Sequence, residues 1–596
     1  PRYLMGGVVA GIRDYGNRVG IPTVAGQVAF HPKYTGNPLV NVGCVGIVEK
    51  ELMIHSKAGD VGDIYILAGG RTGRDGIHGV TFASRDLDAG SDDDLGAVQL
   101  GDPITKEPLM HLCLELNEMG ILTGMKDLGG GGLSCVVGEL ALDGGFGARV
   151  DLEKVHLKVE NMPPWEIWVS ESQERMMFTV TPKNVEKVLE RCKAWDVEAV
   201  TIGEVIAEKR NIVNYNGVEI LNLDLDFTTG GPVYKRPYNL PDYDVGEAVK
   251  LPSYPENIEE KIIDIIRQPE VASKDWVIRQ YDHEVRGKTV LKPIQGPIGK
   301  EVPGDSSVIK PVDNSWKGLA LTSDINPYLM EANPYHGTMS AVEEVCRNLA
   351  SVGARIDSLA DCLCFGNPQR PDIMGQFKAS CEALRDAATS IDVPYVSGNV
   401  SLYNETADGA IPPTPVLMGI GLVDDIRKCV TSDMKKEGTI WIVGRTKEEM
   451  GASLYYRTLG IECKNVPTTD FSSFIPRMEQ LIQAIENGEV VACHDISNGG
   501  LALTIIEMAM SGTGAEINLN SDLRDDIELF SESNGRWVVQ VAPGFESKFE
   551  KRFDFAEKIG DVNDKIIFNK NGEQIAKLQI DKVRKEWTNP IWERLA

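Results

Sequence analysis

A short stretch that occurs twice constrains the fold more than any other feature of this sequence. Lys126–Leu140 reads KDLGGGGLSCVVGEL, an acid with four glycines and an apolar run, and His494–Leu501 reads HDISNGGL before a second apolar run. Each copy predicts a strand end, a glycine turn and a helix. Glycines let a ligand approach the backbone, and a helix N-terminus favours an anion. Taken alone, such a turn is more often a plain connection than a ligand site.

Matched landmarks around the two stretches indicate an internal duplication. The paired segments are ESQERMMF (171–178) with ESNGRWVV (532–539) downstream, and PTVAGQ (22–27) with PYVSGN (394–399) upstream. The acid precedes its downstream landmark by 44 residues in the first copy and 37 in the second, and follows the upstream glycine by 101 and 97. Three landmarks in one order predict a repeated unit of roughly 300 residues or more, too long for a solenoid repeat.

The second copy predicts elements for which the first copy has no counterpart. A strand at Gly318–Ser323, a helix near Met339–Val352 and a strand near Ala354–Cys362 precede the segment 371–399, which aligns with residues 1–27. The sequence before residue 50 offers only a helix over Pro1–Arg18 and two strands, Ile21–Gln27 and Val40–Val48. We therefore expect roughly 50 or more residues of the first repeat to be absent from this sequence.

Charge and cysteine usage limit the class of protein. A formal net charge of −27 argues against non-specific binding to nucleic acid or to an anionic membrane surface. No apolar run approaches the ~18 residues of a membrane span. The 11 cysteines are scattered without a CxxC pair, and the one-residue spacing of Cys362 and Cys364 is a poor zinc spacing. We expect reduced thiols in a cytoplasmic protein.

Polar side chains at predicted strand ends are the candidates for chemistry. Asp127, Asp361 and Asn399 suit a magnesium–nucleotide site, in which catalysis is mostly positioning and charge neutralisation. Other polar groups at such positions, each compatible with either a ligand edge or a surface loop, are Gln99, Glu171, Ser172 and Gln173. No Ser/His/Asp, Cys/His or GxCxG pattern is present. The residues alone predict a two-copy α/β protein that handles a phosphate.

A glycine-rich loop at Gly70–Gly79 carries two arginines. Arg71 and Arg74 are able to bind a phosphate in a bidentate manner. A solvated turn explains the same residues equally well, so both interpretations stay open.

Seven motifs, in order along nearly the whole chain, give the sequence a family resemblance. They are GNPLVNVGCVGIV (36–48), GGRTGRDGIHG (69–79), VQLGDP (98–103), DLGGGGL (127–133), ESQERM (171–176), DCLCFGNP (361–368) and SGNVSLYN (397–404). The chain resembles the synthetase subunit of phosphoribosylformylglycinamidine synthase, of the aminoimidazole-ribonucleotide-synthetase-like superfamily. The resemblance implies an α/β (α+β) fold of two PurM-like two-domain units with pseudo-two-fold symmetry, the first copy truncated at its N-terminus.

The resemblance also implies a division into domains. The expected parts are a remnant of the first N-terminal-type domain (1–50), the first C-terminal-type domain (51–210), a connector (211–290), the second N-terminal-type domain (291–430) and the second C-terminal-type domain (431–596).

The implied activity is that of an ATP-dependent C–N ligase in purine biosynthesis. Formylglycinamide ribonucleotide would become formylglycinamidine ribonucleotide through a phosphorylated amide intermediate, with ATP and Mg²⁺ required. In the family, ammonia comes from glutamine, so a separate glutaminase subunit and a small bridging subunit are the expected partners. Nucleic acid and membrane are not expected partners.

Site roles follow from the resemblance residue by residue. Asp127 and Asn399 look like magnesium ligands, and Asp361 and Gly398 look like ATP contacts. The positions that look like substrate contacts are Gln99, Glu171, Ser172, Gln173 and Ser401.

The family's SHNHP motif with its catalytic His, its ATP-binding Lys and its GGxxRD segment do not occur in this sequence. We therefore assign no catalytic residue and expect either a fragment or a front end carried by another polypeptide. A different class stays open, a non-catalytic nucleotide-binding structural subunit or inactive fragment. A kinase resembling thiamine-monophosphate kinase would carry one unit, whereas this sequence has two. An upstream coding segment with SHNHP would favour the enzyme.

Overall fold

The structure, a computed structural model, describes residues 2–77, 98–246 and 250–595. The chain divides into two compact units. The small unit comprises Cys44–Lys235, and the large unit comprises Pro1–Gly43 together with Arg236–Ala596. Helix α1 (Arg2–Val19), which the sequence predicted, opens the described part of the large unit.

The small unit is built on a seven-stranded, mainly antiparallel sheet in the order β2-β4-β1-β5-β3-β6-β7. Its strands are β1 (Ile64–Gly69), β2 (Gly124–Asp127), β3 (Gly147–Asp151), β4 (Arg175–Val180), β5 (Ala199–Ile206), β6 (Arg210–Tyr215) and β7 (Val218–Asp224). Its α-helices are α2 (Pro103–Glu118), α3 (Leu133–Gly144), α4 (Pro164–Val169), α5 (Val185–Ala194) and α6 (Leu225–Thr229).

Helices cover this sheet on both faces, as the central strand β1 shows. Its side chains alternate between the two faces. Tyr65 and Leu67 pack into one apolar cluster with residues of α3, and Ile66 and Ala68 pack into another with residues of α2 and α5. A strand buried on both faces requires the continuous apolar sequence found here.

The large unit contains two large sheets. A six-stranded sheet has the order β14-β13-β17-β12-β11-β8, a seven-stranded sheet has the order β19-β21-β18-β22-β20-β23-β24, and β9-β10 and β15-β16 are two-stranded. The strands are β8 (Thr289–Leu291), β9 (Ile294–Gln295), β10 (Val302–Pro303), β11 (Ser307–Ile309), β12 (Gly318–Asp324), β13 (Arg355–Cys364), β14 (Tyr395–Ser401), β15 (Glu405–Thr406), β16 (Gly409–Ala410), β17 (Thr414–Val423), β18 (Thr439–Val443), β19 (Val490–Asp495), β20 (Gly514–Leu519), β21 (Trp537–Val541), β22 (Ala556–Asn563), β23 (Ile566–Lys570) and β24 (Glu573–Leu578).

The α-helices of the large unit follow α1 along the chain. They are α7 (Ile258–Ile266), α8 (Asp275–Ile278), α9 (Pro327–Ala332), α10 (Pro334–Ser351), α11 (Pro371–Ile391), α12 (Leu454–Thr458), α13 (Phe471–Glu486), α14 (Gly500–Ala509), α15 (Asp525–Phe530), α16 (Glu546–Glu550), α17 (Ile580–Thr588) and α18 (Pro590–Leu595). Helix α10 is buried along most of its length, including the charged side chains of Glu343 and Arg347. A buried charge must be paired, so this helix is expected to carry an ion cluster.

The two seven-stranded sheets have the same topology. When the strands of each sheet are counted along the chain, both have the order second, fourth, first, fifth, third, sixth, seventh. In both, the second strand ends at the acid of the repeated stretch, and a helix follows the glycine turn. The duplication predicted from the landmarks is therefore confirmed, and so is the α/β fold class.

Two strand predictions near the beginning of the sequence are wrong. Residues 21–27 and 40–48 form no strand, and none of the described strands pairs with them. Val42 is 75% exposed. An apolar segment becomes a strand only when a neighbour pairs with its backbone groups, and a pattern in the sequence does not supply that neighbour.

The sheet of the small unit extends beyond the predicted domain boundary at residue 210. Strands β6 and β7 add to its edge, and β6 pairs parallel with β3. Within the described ranges, no helix combines the length and apolar character that a membrane crossing requires.

Candidate functional site

The first acid–glycine stretch forms a tight turn in the small unit. β2 ends at Asp127, and α3 begins at Leu133 after Gly131 and Gly132, both with positive φ. A β-carbon on Gly132 would lie 1.9 Å from the carbonyl oxygen of Ser170. The turn therefore requires glycine, because no other residue fits against that backbone.

Glu171 connects this turn to Gln99. The Glu171 side chain is buried, and its Oε1 accepts a 2.8 Å hydrogen bond from the N–H of Gly131. Its Oε2 accepts a 2.6 Å hydrogen bond from Nε2 of Gln99, and its backbone oxygen accepts one from Gln173. Three of the predicted substrate residues therefore lie together beside the turn that follows Asp127.

Ser172 is held by groups that the sequence did not single out. Its Oγ donates to Asp75 and accepts a 2.8 Å hydrogen bond from the N–H of Gly73. Asp75 in turn pairs with Lys158 at 2.8 Å. Burial opposes ionisation of Asp75, but Lys158 and Ser172 outweigh it, so the pKa of this carboxyl lies below its usual value. A buried, ionised group therefore fixes the Ser172 hydroxyl.

A fully buried arginine supports the same loop. Arg175 donates from Nε to the carbonyl oxygen of Ser172 at 2.7 Å and from Nη2 to that of Ser170 at 2.7 Å. Its Nη1 donates to Oγ1 of Thr72 at 2.9 Å. Burial lowers the pKa of Arg175 to about 10. The arginine shared by ESQER and ESNGR was the available signal for this role.

The Asp127 carboxylate fits a magnesium ion. The side chain is exposed, and no hydrogen bond or ion pair engages it among the described residues. The neighbouring Lys126 pairs instead with Glu139 at 3.1 Å. A free carboxylate is a hard oxygen ligand, and magnesium often takes only one or two such ligands from a protein.

The two arginines of the glycine-rich loop face carboxylates. Nε of Arg71 lies 2.9 Å from both oxygens of Glu198, and Nε of Arg74 lies 2.7 Å from Oε2 of Glu166. All of these distances fall within the small unit. A phosphate would compete with these carboxylates, and the phosphate-loop interpretation stays a prediction. Residues 78 and 79 of this loop lie outside the described residues.

Asp361 and Gly398 are partners on adjacent parallel strands of the large unit. β13 and β14 pair so that Asp361 stands beside Gly398. A β-carbon on Gly398 would lie 2.9 Å from Oδ1 of Asp361, so glycine leaves room for the carboxylate. Burial raises the pKa of Asp361 above its usual value.

The side chains of Asn399 and Ser401 lie on the opposite face of the same strand pair, because side chains alternate along a strand. Nδ2 of Asn399 donates to Sγ of Cys362 at 3.3 Å, which directs the amide oxygen away from the thiol. Oγ of Ser401 accepts a 3.1 Å hydrogen bond from Asn404. An exposed amide oxygen suits magnesium. The predicted residues therefore form two pairs. Asp361 and Gly398 lie on one face of this strand pair, and Asn399 and Ser401 lie on the other.

Two family models match the chain, and each matches it in two places. The model described as AIR synthase related protein, N-terminal domain, matches residues 1–48 and 303–423. The model described as AIR synthase related protein, C-terminal domain, matches residues 60–216 and 464–568. Fold and matches together define a duplicated protein of the AIR synthase related class.

Curated relatives and solved structures narrow this class. Phosphoribosylformylglycinamidine synthase subunit PurL of Thermoplasma volcanium is 40% identical over 598 residues, which are 99% of this chain and 78% of that protein. The same subunit of Thermococcus sibiricus is 40% identical over 98% of this chain and 81% of its own length. The structure of T. maritima PurL complexed with FGAR matches with a TM-score of 0.71 and 27% identity, over 94% of this chain and 81% of that one. This chain belongs to the family of phosphoribosylformylglycinamidine synthase subunit PurL.

Proposed function

We propose that this chain catalyses the ATP-dependent conversion of formylglycinamide ribonucleotide to formylglycinamidine ribonucleotide in purine biosynthesis. The observation that carries the proposal is the 40% identity to PurL subunits over almost the whole chain. T. maritima PurL, which is 27% identical, was solved in complex with FGAR, and a second structure of it, at 25% identity, was solved in complex with ATP.

The reaction replaces an amide oxygen by nitrogen. The γ-phosphoryl group of ATP is transferred to the amide oxygen, ammonia adds to the amide carbon, and phosphate leaves with that oxygen. The products are ADP, phosphate and the amidine. Such chemistry depends mostly on positioning and on stabilising negative charge. Mg²⁺, when bound, supplies the positive charge that neutralises the triphosphate.

The site roles expected from the family resemblance form part of this proposal. Asp127 would offer a carboxylate oxygen to Mg²⁺, and Asn399 would offer an amide oxygen; both are hard ligands. Asp361 and Gly398 contact ATP. The substrate contacts are Gln99, Glu171, Ser172, Gln173 and Ser401. Their support is the anchoring of Glu171 and Ser172 by buried hydrogen bonds, which holds polar groups in place before a ligand arrives.

The ammonia comes from glutamine through a separate glutaminase subunit, with a small bridging subunit completing the complex, in the cytoplasm. The chain of PurLQS from Thermotoga maritima is 26% identical, with a TM-score of 0.70 over 93% of this chain. We propose domain boundaries at residues 50, 290 and 430, and we move the boundary expected at residue 210 to residue 224, because β6 and β7 belong to the sheet of the small unit. The two positions of each family model support this division.

An isotope experiment tests the reaction directly. The purified chain, alone and together with a separately made segment of a PurL relative that carries SHNHP, is supplied with Mg²⁺-ATP, an ammonium salt and ribonucleotide that carries ¹⁸O in the glycinamide carbonyl. We expect ADP release that requires the ribonucleotide, with the label recovered in phosphate. Asp127→Asn is the matched variant, which should show lower activity at limiting Mg²⁺. ADP bound without turnover would favour the non-catalytic, nucleotide-binding subunit, and label retained in the organic product would overturn the proposal.

A further inference from the structure

Two cysteine side chains on one strand of the large unit are in contact. Strand β13 ends at Cys364, and residues two apart on a strand project from the same face. Sγ of Cys362 lies 3.7 Å from Sγ of Cys364, and both cysteines are free thiols. The one-residue spacing that is poor for zinc therefore brings two sulfurs together on one side of the sheet. The reaction proposed above gives neither thiol a role.

The two thiols differ in exposure and in their second partner. Cys362 is half-buried, whereas Cys364 is only 1% exposed. Sγ of Cys362 accepts a 3.3 Å hydrogen bond from Nδ2 of Asn399, and Sγ of Cys364 donates to Oδ1 of Asn41 across 3.8 Å. A reagent in solution therefore reaches Cys362 first. Cys364 is already placed to react with any group that becomes attached to the Cys362 sulfur.

The thiol pair stands beside two residues of the proposed site. In the parallel pairing of β13 with β14, Cys362 lies opposite Asn399 and Cys364 lies opposite Ser401. Asn399 is the proposed amide ligand of magnesium, and Ser401 is a proposed substrate contact. The two strands share backbone hydrogen bonds, so a local distortion of β13 is transmitted to β14 at these residues.

The geometry permits a disulfide bond, at the cost of strain. Cα atoms two residues apart on a strand are separated by about 6.4–6.8 Å, and the range found in disulfides is about 4.4–6.8 Å. The sulfurs would have to move from 3.7 Å apart to a bond length of about 2.05 Å. Closing the bond therefore pulls on the strand. Strained disulfides are easily reduced and serve regulation more often than structure.

We propose that Cys362 and Cys364 are a modification site, at which a small-molecule disulfide oxidises the two thiols to a reversible disulfide bond that lowers the activity of the chain. Formation of the bond depends on the two thiols alone. Its effect on activity rests on the proposed function, because the effect acts through Asn399 and Ser401.

The modification proceeds by two thiol–disulfide exchanges. The sulfur of Cys362 attacks one sulfur of the small disulfide, whose S–S bond breaks, and half of the reagent leaves as a thiol with the Cys362 proton. The sulfur of Cys364 then attacks the Cys362 sulfur of the mixed disulfide, and the other half leaves as a thiol with the Cys364 proton. Two cysteine sulfurs are oxidised, and the small disulfide takes up two electrons. An added dithiol reverses both steps.

Mass spectrometry of the full chain tests bond formation, with oxidised glutathione as the probe. Trypsin leaves both cysteines together in residues 356–378, which contain no other cysteine. After oxidation, the remaining thiols are blocked with iodoacetamide. We expect this peptide to lack two hydrogen atoms and to carry no blocking group, and dithiothreitol should restore two thiols. Two blocked thiols, or glutathione retained on Cys362, would overturn the proposal.

Cysteine variants test the order of the two steps. Cys364→Ala removes the second thiol, so glutathione should remain attached to Cys362. Cys429→Ala, which removes another half-buried thiol of the large unit, is the control and should form the bond as wild type does. If Cys364→Ala does not fold, Cys362→Ser gives the converse test, because the buried Cys364 should then stay unmodified. Glutathione on Cys364 in that variant would contradict the assignment of Cys362 as the entry point.

ADP release measures the effect of the bond on activity. The chain, supplied with the SHNHP segment, Mg²⁺-ATP, ammonium and ribonucleotide, is assayed before and after oxidation. We expect the rate to fall about tenfold or more, because displaced positioning groups are costly, and to recover with dithiothreitol. The double variant Cys362→Ser/Cys364→Ala keeps every other cysteine and should resist oxidation. Loss of activity in this variant, or full activity of the chain with the bond formed, would overturn the regulatory effect. If the reduced chain is itself inactive, the proposed function fails, while the mass measurement still decides whether the bond forms.

Discussion

The carboxylate of Glu171 accepts a 2.8 Å hydrogen bond from the backbone N–H of Gly131. A side chain from one motif, ESQERM, therefore holds the glycine turn of another, DLGGGGL. The second copy repeats the bond between Glu532 and Gly499 at the same length. This hydrogen bond therefore belongs to the duplicated scaffold. In the first copy, the same glutamate also accepts a hydrogen bond from Gln99.

Glu171→Gln should weaken binding of the ribonucleotide. The amide keeps an acceptor for Gly131 but places an N–H₂ against the donor Nε2 of Gln99, so Gln99 loses its position. Leaving one buried donor without its acceptor costs about 1–3 kcal/mol. We therefore expect the KM for the ribonucleotide to rise about tenfold or more. Steady-state kinetics measures this. Glu532→Gln is the control and should lower the unfolding free energy without changing KM. Equal KM effects in the two variants would refute the assignment.

Gly132→Ala should destabilise the small unit strongly. Its β-carbon would lie 1.9 Å from the Ser170 carbonyl oxygen, so the turn must move. We expect a loss of at least about 2 kcal/mol in unfolding free energy. Gly145→Ala is the matched control, with φ of 83° but open space around it, and should cost about 1 kcal/mol. Chemical denaturation monitored by tryptophan fluorescence compares them, and equal losses would show that strain in φ is the whole effect.

The duplication was predictable because an acid followed by a glycine turn is a pattern that can be recognised in the sequence itself. Gly131 and Gly132 both have positive φ, and the acid stands at a strand end in each copy. Which strands pair with each other was harder to predict from the sequence. Residues 21–27 and 40–48 have strand-like composition, yet they form no strand, since composition does not specify a neighbour.

Long-range ion pairs account for most of what the sequence did not reveal. Arg347 and Asp495 are 148 residues apart, and Arg347 lies on a helix whose pattern indicates a core element. The carboxylates opposite Arg71 and Arg74 are also far from those arginines in the sequence, at separations of 127 and 92 residues. A sequence shows which residues carry charge, whereas only the fold determines which charges meet.

Arg74→Ala tests the phosphate-loop prediction. If the loop binds the phosphate of the ribonucleotide, the KM for the ribonucleotide should rise about tenfold, because a charge-assisted hydrogen bond is lost. Stability should change by about 1 kcal/mol at most, since the Arg74 side chain is 47% exposed, although that of Glu166 is only 14% exposed. Glu166→Gln is the control, which removes the competing carboxylate and should not raise KM. An unchanged KM in Arg74→Ala would leave the loop as a turn only.

Asp127→Asn should raise the Mg²⁺ concentration required for half-maximal ATP turnover. Replacing an anionic hard ligand by a neutral amide weakens binding of the ion, and we expect a shift of about tenfold or more. Titrating ADP release against Mg²⁺ at saturating ATP measures the shift. Asp226→Asn, an exposed acid on α6, is the control and should titrate as wild type does. Coinciding curves for Asp127→Asn and wild type would remove Asp127 from the metal site.

The ion cluster around His494 should make stability depend on pH. Burial lowers the pKa of His494, but the carboxylates of Asp305 and Glu507, which lie against its two ring nitrogens, outweigh burial and raise the folded-state pKa well above the unfolded value of about 6.5. The stabilisation is therefore complete below about pH 6.5 and declines as the pH rises towards the folded-state pKa, by at most about 1.4 kcal/mol per pH unit. The unfolding free energy of wild type minus that of His494→Gln, measured by denaturant titration from pH 6 to pH 9, should fall steadily across that range. Lys126→Gln is the control in the first copy, because it removes an ion pair without removing an imidazole, and its difference from wild type should stay constant. A constant difference for His494→Gln as well would mean that the imidazole is neutral in the folded chain, and the cluster would then be held by Arg347 alone.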